Sequence, residues 1–224
     1  HGSYGGGMTA APRTARGERT RAKIIDSAME AFATYGFHDA SIVKITEGAG
    51  VALGTFYLYF PGKQELFAEV VVDLNRQLRQ AMTEGAAGAT DRIDAERRGF
   101  RAYFDFLATH PEVYPIIREA WFVAPDALRV HYERIHAGYA EALGSAAATG
   151  EIAPLNPDVT AWALMGIGEM LGMRYQAWPA QPRRTGDAAP QPSPIPGEVF
   201  DACVTLITHL LNPTAHPVEK GPAS

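Results

Sequence analysis

Apolar positions recur at spacings of three and four along most of the chain, which predicts helices separated by short breaks. Ile24, Ile25, Ala28, Ala31, Phe32 and Tyr35 form one stripe of a helix over 18–35, and Gly36 ends it. Ser41 can cap a short helix with Ile42, Ile45 and Ala49 inward, closed by Gly50, which can take the positive φ that a sharp turn needs. A second short helix follows Val51 and buries Phe56 and Phe60 at i, i+4. Pro61-Gly62 then stops the chain, and Lys63 opens a helix to about 82 with Leu66, Phe67, Val70, Val71, Leu74 and Leu78 inward.

The later helices follow the same rule. Ile93, Phe100, Tyr103, Phe104 and Leu107 mark a helix over 91–109, and Val113, Ile116, Ile117, Ala120 and Trp121 mark a short one after Pro111. Pro125 suits the first position of a helix over 126–148. Asn156 is a cap and Pro157 a first position for a helix to about 178. That helix is apolar on two faces: Trp162, Met165, Met170 and Met173 on one, Ala161, Leu164, Gly168, Leu171 and Tyr175 on the other. Two apolar faces require two contact surfaces. Residues 179–196 read as an exposed flexible loop, and a last helix over 197–211 carries Phe200, Cys203, Val204, Ile207, Leu210 and Leu211. The fold class is therefore all-α with about nine helices. Its two short helices about a glycine turn have the pattern of a helix-turn-helix, whose second helix can enter a DNA major groove.

The segment GVALGTFYLYFPGKQELF resembles the recognition helix and following region of TetR-family transcriptional regulators. The likeness extends back through TRAKIIDSAMEAFATYGFHDAS and covers about Arg19 to Val72, with about ten positions agreeing in type and spacing. It implies a DNA-binding head at 18–64 and a ligand-binding, dimerising body at 65–212. Residues 1–17 read as a tag remnant and flexible basic arm, with the native chain starting at Met8, and 213–224 as a flexible tail. Ser41, Lys44, Leu53, Gly54, Thr55, Tyr57, Tyr59 and Lys63 are the DNA-binding candidates. Thr55 can meet a base edge, the tyrosines and lysines can meet phosphates, and Leu53 can meet only an apolar group such as a thymine methyl.

Charge supports the division. The net charge is −5, yet Met8–Gln64 carries seven Lys/Arg against five acids, so the acidic excess lies in the body. The single cysteine, Cys203, excludes an intramolecular disulfide and fits a cytoplasmic location, and no apolar run is long enough to span a membrane. Catalytic and metal motifs are absent, and His131 and His136 fall on different helix faces. Gly48–Gly54 also matches a dinucleotide-binding loop, but the preceding IVKITE is polar and helically spaced where a buried strand is required.

Two further sites are expected. Helices eight and nine are the candidate dimer interface, through Ala161, Leu164, Gly168, Leu171, Tyr175, Phe200, Val204, Ile207 and Leu211. The candidate ligand region comprises Phe100, Tyr103, Phe104, Leu107, Tyr114, Ile117, Arg118, Trp121, Tyr132, His136, Tyr139, Trp162, Met165 and Glu169, although such stripes equally make a plain core. Arg118, Glu119, His136 and Glu169 are the polar groups that interrupt these faces. The resemblance implies a homodimeric repressor, needing no cofactor, that leaves a palindromic operator when a small apolar or aromatic effector binds. A DNA-binding regulator without an effector, and a nucleotide-binding enzyme, are the alternatives.

Overall fold

The computed structural model describes residues 14–178 and 193–215. The expected tag remnant and most of the arm, the 179–192 part of the loop and the end of the tail lie outside them. Among the described residues the chain is helical: α1 Ala15–Asp39, α2 Ile42–Ala49, α3 Leu53–Phe56, α4 Lys63–Ala86, α5 Arg92–Thr109, α6 Val113–Val123, α7 Pro125–Ala148, α8 Pro157–Gly172 and α9 Gly197–Leu211.

The helix ends follow local chemistry. Thr14 caps α1 by accepting from Gly17 N–H, so the helix begins earlier than the stripe suggested and takes in Arg16 from the expected arm. Gly36 breaks α1 with φ 73°, and one further turn reaches Asp39. Ser41 caps α2 through Lys44 N–H, and Gly50 closes it at φ 65°. Asn156 caps α8 through Val159 N–H ahead of Pro157. Beyond Gly172 the helix widens into a π turn over Met173–Ala177, a departure that periodicity does not reveal.

The chain divides into two compact units. Of the described residues, the head holds those up to Asp73 together with Pro115–Leu128, and the body holds Leu74–Tyr114 with those from Arg129 onward. The head core is built on Ile24, Ala28, Phe32, Ile45, Phe56, Phe60, Leu66 and Phe67, all buried. Phe32 and Phe67 meet edge-on, with ring centroids 5.0 Å apart. In the body, α5 packs on α8 and α9 around Phe104, Leu164, Ile207 and Leu211.

The candidate dimer face is corrected here. Ala161, Leu164, Gly168, Phe200, Ile207 and Leu211 are buried within the single chain and are not available to a partner. Leu171 and Val204 are partly buried, and of the set only Tyr175 is exposed. The apolar residues that α8 and α9 leave outside are Val159, Trp162, Met170 and Leu206. The two-faced pattern of α8 was real, and the face assigned to the partner is the one that closes the chain's own core.

Candidate nucleic-acid interface and ligand region

The turn between α2 and α3 is held from beneath. Val51 N–H donates to Thr46 O and Gly50 N–H to Glu47 O, closing α2 around the left-handed glycine. Phe56 and Phe60 anchor the short α3 and the turn after it, leaving Leu53, Gly54 and Tyr57 outward. Tyr57 is 54% exposed, and its ring rests edge-on against Phe56 with centroids 5.2 Å apart. Thr55 and Tyr59 are half-buried beside it. Ser41 and Lys44 are exposed at the start of α2, with the Lys44 ammonium 4.1 Å over the Tyr35 ring. These seven candidates lie on the two short helices and their connecting turns.

Lys63 is placed otherwise. Its ammonium donates to the carbonyls of Phe37, His38 and Ala40 at 2.5, 3.1 and 2.8 Å, and lies 4.5 Å from the Phe37 ring centroid. Three donors are thus committed to orphan carbonyls where α1 ends. The phosphate role assigned to Lys63 is corrected: it staples the start of α4 to the end of α1.

A second clamp acts on the same corner. Both carboxylate oxygens of Glu119, on α6, accept from Phe37 N–H at 2.8 and 3.0 Å. A Cβ at Gly36 would lie 2.9 Å from a Glu119 oxygen, so the glycine supplies both the positive φ and the room. Gly48 also acquires a reason. A Cβ there would lie 2.4 Å from Ser27 Oγ, which donates to Ile45 O and ties α1 to α2. The sequence shows only a costly glycine inside a helix.

The ligand candidates separate. Tyr103, Tyr114, Tyr132 and Glu169 come together in the body. Tyr132 donates to Glu169 Oε1 at 2.9 Å, and the Tyr103 hydroxyl is aimed at that of Tyr114. The Tyr114 oxygen is buried without a hydrogen bond of ordinary geometry. Burial first, and then the Glu169 charge, hold the Tyr132 phenol well above its usual value; for Tyr103 and Tyr114 burial is again the largest cause. Phe100, Phe104 and Leu107 are buried in α5, with Phe104 also edge-on to Phe200, and Met165 is partly buried.

Tyr139 belongs to a different cluster: it donates to Glu96, which pairs with Arg92, and burial raises the Glu96 carboxyl above the usual range. His136 stacks on Trp162 at 5.0 Å and meets the Asp158 carboxylate at 3.0 Å. Ile117, Arg118 and Trp121 fall in the head unit, Ile117 buried and the other two exposed. Of the four polar groups, Arg118 is exposed in the head unit, and Glu169 lies beside Tyr103, Tyr114 and Tyr132 in the body. Gly172, which periodicity did not mark, lets this happen, since a Cβ there would sit 2.1 Å from the Tyr114 oxygen.

A short, anchored second helix behind a left-handed glycine defines a helix-turn-helix protein. The family model "Bacterial regulatory proteins, tetR family" matches residues 24–70. Among curated relatives, an uncharacterized HTH-type transcriptional regulator of Bacillus subtilis, YdgC, is 35% identical over 116 residues, 50% of this chain and 58% of its own. The HTH-type transcriptional activator FasR of Mycolicibacterium smegmatis is 30% identical over 118 residues, 53% of each chain. The match thus spans about half the length of both relatives. A TetR-family structure from Rhodococcus sp. superposes with a TM-score of 0.70 at 21% identity, covering 87% of this chain and 100% of that one. One from Mesorhizobium loti gives 0.67 at 22%, covering 89% and 100%. At these identities the structures establish the fold. The family match thus lies on the helix-turn-helix segment, and the fold along most of the chain is that of TetR-family structures.

Proposed function

We propose that the chain is a homodimeric DNA-binding transcriptional regulator that responds to a small molecule held in its body. The observation carrying this reading is the outward edge Leu53, Gly54 and Tyr57 on a helix whose other side is anchored by Phe56 and Phe60. A helix fixed from beneath and bare outside is suited to docking in a groove, with Thr55 and Leu53 toward base edges and Tyr57, Tyr59, Ser41 and Lys44 toward phosphates. The dinucleotide-binding alternative loses its basis, because the residues ahead of Gly50 form α2 where that chemistry needs a strand.

Dimerisation is assigned to the apolar residues that α8 and α9 leave exposed, Val159, Trp162 and Met170 on the first and Leu206 on the second, since several large exposed apolar residues on one helix suit a contact surface. Two-fold symmetry would set two recognition helices about 34–36 Å apart, matching a palindromic operator. Effector binding in the body would shift the population toward a state with a different separation and release the DNA, which makes the regulator a repressor. Selection from random duplexes tests the reading. The wild type should enrich a palindrome at moderate salt and Tyr57→Ala/Thr55→Ala should not; enrichment of nothing by either protein would remove the DNA-binding function.

A further inference from the structure

Glu169 is a half-buried carboxylate among three tyrosines, and no cationic side chain of the described residues pairs with it. A carboxylate drawn into an aromatic cluster loses hydration and is ordinarily offset by a paired cation. Here its recorded partner is the neutral Tyr132 hydroxyl, which holds the carboxylate's orientation without neutralising it. The rings of Tyr103 and Tyr114 lie in the same region, with the Tyr103 hydroxyl directed at the Tyr114 oxygen. Gly168 and Gly172 bring α8 against these rings. A Cβ at Gly168 would lie 3.3 Å from Phe100 and 3.4 Å from Tyr103, and one at Gly172 would collide with Tyr114. The helix that carries Glu169 is thus cut back at the two positions that seat the aromatic side chains beside it.

We propose that this cluster is the effector site and that its ligand is an organic cation, a quaternary ammonium or similarly delocalised positive charge with apolar substituents. The inference rests on the regulator reading and gives its effector a chemical class. Glu169 supplies the charge, and the tyrosine rings beside it attract the cation and exclude water. A carboxylate or acyl anion is repelled by Glu169 and finds no fixed cation in the cluster.

Benzyltrimethylammonium and its uncharged carbon isostere neopentylbenzene differ only in the charge-bearing atom. Their affinities for the full chain are read by calorimetry, or by emission of Trp162, whose ring lies 6.2 Å from that of Tyr132. The wild type should prefer the cation by about tenfold to thirtyfold, and Glu169→Gln should lose that preference while keeping its affinity for the isostere. Tyr132→Phe, which keeps the ring and removes the hydroxyl that orients Glu169, should weaken the cation a few-fold. Equal affinities in the wild type, no binding of either compound, or a preference that survives in Glu169→Gln would overturn the proposal. The wild-type comparison decides even where a variant fails to fold. Binding of the selected operator in the same samples separates the two readings: release by the isostere alone leaves the regulator and removes the cation, whereas cation binding by a chain that recognises no operator does the reverse.

Discussion

Replacing Lys63 by methionine separates a structural lysine from a phosphate ligand. The aliphatic stem is kept, so packing against Phe37 survives and only the ammonium is lost. Its three contacts, at 2.5 to 3.1 Å, all run to carbonyls at the end of α1, and two of them are part-buried. Hydrogen bonds to a charged donor contribute about 1.5–3 kcal/mol each when sheltered, but water reaches this corner and replaces part of the loss. A cation at a helix C-terminus adds roughly 0.3–1 kcal/mol. The expected net loss is about 2 kcal/mol. Urea unfolding followed by circular dichroism should show a lower midpoint at unchanged slope. The same variant is then titrated with operator DNA at several salt concentrations. Each phosphate contact contributes about 0.9 to the slope of log K against log salt. The structure predicts that Lys63→Met keeps the wild-type slope while Lys44→Met lowers it by about 0.9 per subunit. Unchanged stability together with a shallower slope for Lys63→Met would refute the staple and restore the phosphate role.

Three other perturbations follow from the same contacts. Gly48→Ala gains about 1 kcal/mol of helix propensity but displaces the Ser27 hydroxyl, so alone it should be neutral or slightly destabilising. In a Ser27→Ala background it should stabilise by about 1 kcal/mol, and additive effects in urea melts would contradict the close approach. Burial holds His131 neutral, down to about 4, where Asn75 donates to its ring and carbonyl oxygen. The unfolded chain binds the extra proton between the two values, so this residue's contribution is full above about pH 6.5 and is lost as pH falls toward 4. His131→Gln should flatten unfolding free energy against pH in that window, and an unaltered profile would show that His131 is not buried neutral. Met170→Glu should convert a dimer to monomer in sedimentation with little change in melting of the subunit, whereas a dimer that persists would move the interface elsewhere.

What could be read from the sequence was short in range. Ser41, Gly50, Asn156 and Pro157 declare their roles because caps and left-handed turns involve residues three or four apart. The head core was legible too, since the Phe32, Phe56, Phe60 and Phe67 stripes each have one apolar side. Lys63 was misread because its partners lie some 25 residues away, and nothing in GKQELF distinguishes a lysine facing DNA from one facing a carbonyl. Glu119 meets Phe37 across 82 residues, and Gly48 answers to Ser27 on another helix. For α8, periodicity gives two apolar faces but not which one turns inward, so Leu164 was given to a partner although the chain's own core buries it. Periodicity also could not divide α6, which sends Tyr114 into the body unit and Ile117 and Arg118 into the head.

The central claim is that α3 reads a major groove twice on one duplex. Methylation protection on the selected operator tests it most directly, because dimethyl sulfate attacks guanine N7 in the major groove and adenine N3 in the minor. The account predicts two protected guanine clusters with centres about one helical turn, 10–10.5 base pairs, apart, both lost with Tyr57→Ala/Thr55→Ala. A single protected cluster, or protection confined to adenine N3, would contradict it.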